Sequence, residues 1–161
     1  MGIFDSTIND IILGLKDDSN LSDISFSFAF PSKYKTNPIK SILAVLSISS
    51  VEINDAAFSG YIGIKNDNET YGKLSSLDVS IRIYAPFSMG GEACVEAFSR
   101  ICDSLFCGTN DYHIKSASCK RVEYDKNMYC FTLDCTLKIN MFIGTVNDDT
   151  SISSITVKGV I

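Results

Sequence analysis

Histidine is the side chain best suited to moving protons near neutral pH, and this chain holds one, His113. A nucleophilic centre built on it would use its imidazole to activate a cysteine or serine, and the cysteines nearest in sequence are Cys107 and Cys119. Cys107 follows Phe106 at a predicted helix end where nothing evident lowers a thiol pKa, so His113 reads as an exposed loop histidine. The six cysteines, Cys94, Cys102, Cys107, Cys119, Cys130 and Cys135, make neither a Cys-x-x-Cys pair nor a cysteine/histidine cluster with zinc spacing. They read as small buried hydrophobes, five of them on predicted helix or strand. Neither a metal nor a cofactor is expected.

Two further features invite chemistry and yield plainer readings. Gly90-Gly91 precedes a predicted helix, whose free amides could cradle a phosphate, but no lysine follows and Glu92 already supplies negative charge. It reads as a turn. The acidic pairs Asp148-Asp149 and Asp67-x-Glu69 lack the spaced ligands and glycine of a calcium loop and read as solvated turns.

The elements that would position any site follow from periodicity. Ile8, Ile11, Ile12 and Leu15 fall at helical spacing over residues 4 to 16, with Asp5 or Ser6 as cap. Ile24, Phe26, Phe28 and Phe30 alternate in a strand that Pro31 stops, and the polar loop from Pro31 to Pro38 carries Tyr34. A second strand spans 40 to 53, with Val45, Ser47, Ser49, Val51 and Ile53 on one face and Ala44, Leu46 and Ile48 on the other. The apolar patch Phe58, Tyr61, Ile62 and Ile64 comes next. Leu77, Val79, Ile81 and Ile83 point inward in a strand over 74 to 84. Cys94, Phe98, Ile101, Cys102 and Leu105 stripe a helix over 92 to 106. Residues 114 to 124 and 128 to 141 form a hairpin around Asp125-Lys126-Asn127, with Tyr129, Phe131, Leu133, Cys135, Leu137 and Ile139 on one face. These elements predict an α+β domain: a mixed, mainly antiparallel sheet with two helices over residues 1 to 141, and a C-terminal extension over 142 to 161.

At 161 residues, with 45% hydrophobic side chains, the chain can fill one core. A net charge of -5 argues against gripping phosphates, so sequence-specific nucleic-acid binding is not expected. No stretch approaches the roughly 18 apolar residues of a membrane span, and the start Met-Gly-Ile-Phe-Asp lacks the basic, then apolar pattern of a secretory signal. Gly2 with Ser6 fits a myristoylation motif, but there is no polybasic second signal. In the extension, Ile152, Ile155, Val157, Val160 and Ile161 need cover; residues 152 to 161 read as a strand that either folds back or joins a neighbour's sheet edge.

Several strings occur in a telling order: Asn37-Pro38 entering a serine-rich strand that ends Ser50-Val51-Glu52-Ile53, then Tyr71-Gly72, then Ile81-Arg82-Ile83-Tyr84-Ala85-Pro86. Gly90-Gly91-Glu92-Ala93-Cys94 then opens a helix, and the hairpin closes the domain. Over roughly residues 3 to 141 this resembles the tail terminator (tail completion) proteins of tailed phages and the equivalent collar of R-type bacteriocins. The resemblance implies no catalysis. It implies a hexameric ring that caps the head-proximal end of a tail tube and stops tube and sheath growth. Its partners would be further copies of itself, the tail tube and sheath proteins and, in phages, the head-tail connector, with DNA passing through an acidic ring. The protein would sit in the bacterial host cytoplasm during assembly, then in the released virion or tail-like particle. Contacts would fall on Tyr34, on Tyr61, Ile62 and Ile64, and on Ile152, Ile155 and Val157. The alternative is a small soluble binding module, or an enzyme, with a pocket near the 31 to 38 loop.

Overall fold

Alternating apolar residues make a strand whose one face must be buried, and the helical stripes supply the cover. In the computed structural model the described residues are 2–29, 39–55, 60–65, 68–107, 113–146 and 155–159. They form an α+β fold with helices α1 (Ile3–Asp17) and α2 (Glu92–Cys107). The strands are β1 (Ile24–Phe28), β2 (Ile42–Asp55), β3 (Tyr61–Lys65), β4 (Asn68–Pro86), β5 (His113–Cys119), β6 (Glu123–Asp125), β7 (Cys130–Val146) and β8 (Ile155–Gly159). All eight join one sheet ordered β1-β2-β4-β7-β5, with β3 beside β4 and both β6 and β8 beside β7. Only β1 and β2 pair in parallel; the other pairings are antiparallel.

Both helices pack on one face of the sheet. Ile8, Ile11, Ile12 and Leu15 from α1 and Cys94, Ala97, Ile101 and Leu105 from α2 meet Leu77, Val79, Ile81 and Ile83 of β4 and Leu133, Leu137 and Ile139 of β7. Ala97 completes the α2 stripe, whereas Phe98 packs at its margin. A smaller cluster of Leu43, Val45, Tyr84 and Cys130 closes one end of the opposite face. Asp5 serves α1 from inside its first turn, accepting the Gly2 N–H at 3.3 Å, while Gly2 takes the cap position expected of Asp5 or Ser6. At the start of α2, Gly90 has φ +78°, which a side chain rarely tolerates, and a Cβ on Gly91 would lie 3.0 Å from Val122. Helix and hairpin are therefore in close contact there.

Three departures from simple alternation matter. The register of β2 against β4 shifts between Ile48 and Ser50, and the Ser49 hydroxyl donates to the Asp78 carbonyl at 2.9 Å. This bulge puts Val51 opposite Leu77 and Ile53 opposite Ser75. Both therefore lie on the helix-bearing face with Ala44, Leu46 and Ile48, and not with Val45. The hairpin breaks between β5 and β6, where residues 120–122 hold one residue more than the opposing stretch of β7. The β1 alternation ends at Phe28, which is exposed, and the chain leaves the strand at Ala29 with φ 56°. Phe30 and the 31 to 38 loop lie outside the described residues.

Past the expected hairpin end β7 continues to Val146, and β8 returns antiparallel along it from Thr145↔Ile155 to Met141↔Gly159. The last described strand thus folds back on its own sheet.

Cys94, Cys130 and Cys135 are buried, Cys102 is half-buried, and Cys107 and Cys119 are exposed, so the buried reading fails for the last two. Burial pushes the Cys94 thiol up to about 11 and raises those of Cys102, Cys130 and Cys135. Labelling of the native protein with a chromogenic disulfide reagent should therefore show a fast phase from Cys107 and Cys119, removed in the Cys107→Ser/Cys119→Ser variant. Equal rates at Cys94 or Cys135 would contradict this packing.

Candidate functional site

Strand β4 has 19 residues and extends about 60 Å, whereas the 16 residues of α2 rise only about 24 Å. Two such helices cannot cover the whole sheet, and its apolar face emerges beyond them at both ends. At one end lie Val51 and Ile53 of β2 with Tyr61 and Ile64 of β3, the last 69% exposed. Tyr61 meets Tyr71 edge-on with ring centroids 5.8 Å apart. Cross-strand partners put all four on the helix-bearing side, since Tyr61 opposes Tyr71 and Ile64 opposes Glu69, in step with Leu77.

At the other end Pro86 opposes Cys130, and three rings gather just beyond. Phe87 stacks on Phe131 at 5.9 Å, and Tyr124 lies 5.7 Å from Phe87 and 5.4 Å from Phe131. Phe87 is 64% exposed, and Met89 and Tyr124 are exposed beside it in sequence or register. Tyr129, in the β6–β7 turn, is 72% exposed and holds φ 50°. The left-handed conformation costs a residue other than glycine about 1 kcal/mol. Asp125 stabilises that turn by accepting the Asn127 and Met128 amides at 2.8 and 3.2 Å. From Tyr71 to Phe87 the two ends lie roughly 50 Å apart along β4.

The reverse face of the sheet is polar along most of its length. Ser80, Arg82, Asp134, Thr136 and Lys138 occupy it, with Arg82 opposite Asp134 and Lys138 opposite Asp78. The Arg82 guanidinium donates twice to the Asp134 carboxylate, once at 3.1 Å, and Lys138 Nζ lies 3.6 Å from Asp78. The Arg82 hydrogen bonds hold the Asp134 carboxyl below its ordinary value.

His113 is exposed and opens β5 opposite Asn140, one residue further into structure than a loop. Among the described residues, no three His, Cys, Asp or Glu side chains gather as metal ligands. No described helix is long and apolar enough to cross a membrane. No protein-family model matches the chain, and no curated protein matches its sequence.

Of the residues singled out by sequence, Tyr61 and Ile64 come together at one bare end of the sheet, and Ile62 sits between them at the register shift of β3. Ile155 and Val157 lie on β8 opposite Thr145 and Ile143. Tyr34 and Ile152 lie outside the described residues. Sequence reasoning missed Val51 and Ile53, hidden by the bulge, and the whole aromatic end. For the latter a signal existed: Phe87 and Met89 stand between Pro86 and Gly90, and Tyr129 stands beside a turn, where large apolar residues find little cover.

The Asp134 carboxyl is depressed, so its pairing stabilises the fold above the ordinary carboxylate pKa and is lost as pH falls through the folded value. Both side chains are partly exposed, which limits the effect to about 1 kcal/mol or less. Following the Asp134 resonance with pH should give a midpoint below 3.8, rising toward it in Arg82→Met. An unchanged midpoint in that variant would contradict the pairing.

Proposed function

We propose that this chain is a structural assembly subunit that forms a closed ring, as a tail terminator or collar capping a tail tube and ending tube and sheath growth. The observation that carries the reading is the pair of unlike apolar ends on one face of one sheet. One end is aliphatic with tyrosines; the other is a stack of aromatic rings around Phe87 and Tyr124. A ring closes through a heterologous contact, in which one patch of each subunit meets a different patch of the next. Unlike patches at the two ends of the sheet suit that requirement.

The resemblance over residues 3 to 141 supplies the particular ring. Further copies would be the primary partners, with tube and sheath proteins on the faces of the ring and the head-tail connector above it in phages. The acidic balance of -5 suits a conduit through which DNA passes without being held. In this reading the protein assembles in the host cytoplasm and leaves in the virion or tail-like particle.

Mixing two broken halves tests the geometry. Ile64→Glu replaces an exposed side chain and should fold with stability within about 0.5 kcal/mol of the parent, whereas Phe87→Glu also removes two ring contacts and should lose about 1 to 2 kcal/mol and still fold. Each variant alone should fail to form rings. Mixed, they should form a one-to-one heterodimer through the two intact patches, and no ring. Rings from either variant alone, or no heterodimer on mixing, would overturn the head-to-tail arrangement.

A further inference from the structure

Between the C-terminal halves of α1 and α2 lies a cleft of about 740 Å³. Its floor is apolar: Ile11, Leu15 and Leu105 line it and are almost wholly buried. Gly14 lines it from α1, and a Cβ at that position would meet nothing within 4 Å. A glycine inside a helix weakens it relative to alanine, and here the missing side chain keeps the space free.

The rim is anionic. Asp17, Asp18 and Asp103 line the cleft, and Arg100 is the one cation among its described lining residues. Arg100 is already engaged: it donates to Asp23 at 3.0 Å and also to the Asn20 carbonyl. Asp18 is held by the Ser104 hydroxyl and the Asn20 amide, which leaves Asp17 and Asp103 facing the space with less local compensation. Both helices end here, α1 at Asp17 and α2 at Cys107; α1 carries Lys16 in its last turn, which does not line the cleft, and α2 has no basic residue in its own. Helix C-termini carry negative partial charge, so two of them reinforce the carboxylates.

An apolar floor under an anionic rim matches a cation on a long aliphatic stem, the build of lysine and arginine. The cleft is larger than one ammonium group fills, and its apolar floor offers contact to carbon as well as to charge, which suits an extended segment more than an isolated amine.

We propose that this cleft receives a lysine or arginine side chain presented by a basic, apolar-flanked segment of a partner protein. The inference goes beyond the ring reading and does not depend on it, since none of these residues belongs to either bare end of the sheet.

The probe is the peptide acetyl-Leu-Lys-Leu-Lys-Leu-amide, titrated into protein labelled at isoleucine and leucine methyls, with the same peptide carrying Glu for Lys as control. Ile11, Leu15 and Leu105 should shift saturably at up to millimolar peptide, less at high salt, while Ile53 and Ile64 stay in place. The Glu peptide should leave all of them unmoved. Gly14→Leu should abolish the shifts, Gly14→Ala should keep them, and Asp17→Asn/Asp103→Asn should weaken binding several-fold. Absence of shifts, equal shifts with the Glu peptide, or undiminished binding by the Asn variant would overturn the proposal. Loss of rings with the cleft shifts intact would sink only the ring reading, and the converse only this one.

Discussion

The constraint on which the structure depends is a mismatch of rise. A residue advances a strand about 3.3 Å but a helix only about 1.5 Å, so helices of 15 and 16 residues cannot roof strands of 17 and 19. The centre of the sheet is well covered, and there Leu77, Val79, Ile81, Ile83, Leu133, Leu137 and Ile139 are fully buried. Toward both ends the same face keeps its apolar character and loses its roof. Ile53, Ile64 and Phe87 are therefore exposed for a geometric reason. Scattered exposed apolar residues are ordinary on a protein surface; gathered ones at the ends of one face suggest a contact.

The two faces of the sheet divide labour. The helix-bearing face holds the core and the bare ends, whereas the reverse face carries cross-strand ion pairs and hydroxyls, with an apolar corner at Leu43, Val45, Tyr84 and Cys130 and an apolar pair, Leu74 opposite Phe142, toward the other end. Exposed ion pairs such as Arg82–Asp134 contribute little stability, so their value lies more in keeping that face wetted and the register of β4 on β7 specified. The helix layer adds a third surface, the anionic cleft between the ends of α1 and α2.

Much of this architecture was legible from residue spacing. The stripe Cys94, Ile101, Leu105 and the alternation Leu77 to Ile83 gave the central helix and strand, because burial imposes periods of 3.6 and 2. The hairpin around Asp125 was legible too, although its break at residues 120–122 was not, since one extra residue leaves no mark on composition. The bulge at Ser49 misled the face assignment of Val51 and Ile53 for the same reason. At the candidate site, Tyr61 and Ile64 were found as a patch, but their strand was not. The aromatic end went unread because Phe87 is far in sequence from Tyr124 and Phe131 and meets them only through the β4–β7 and β6–β7 pairings together.

If the bare ends are contact surfaces, the protein alone should not stay a monomer. The most direct measurement is its mass in solution across a wide concentration range, by sedimentation or native mass spectrometry. The expected result is a concentration-dependent rise that stops at one closed species, with particle images showing rings. A strict monomer of 17.6 kDa at the highest concentrations would contradict it.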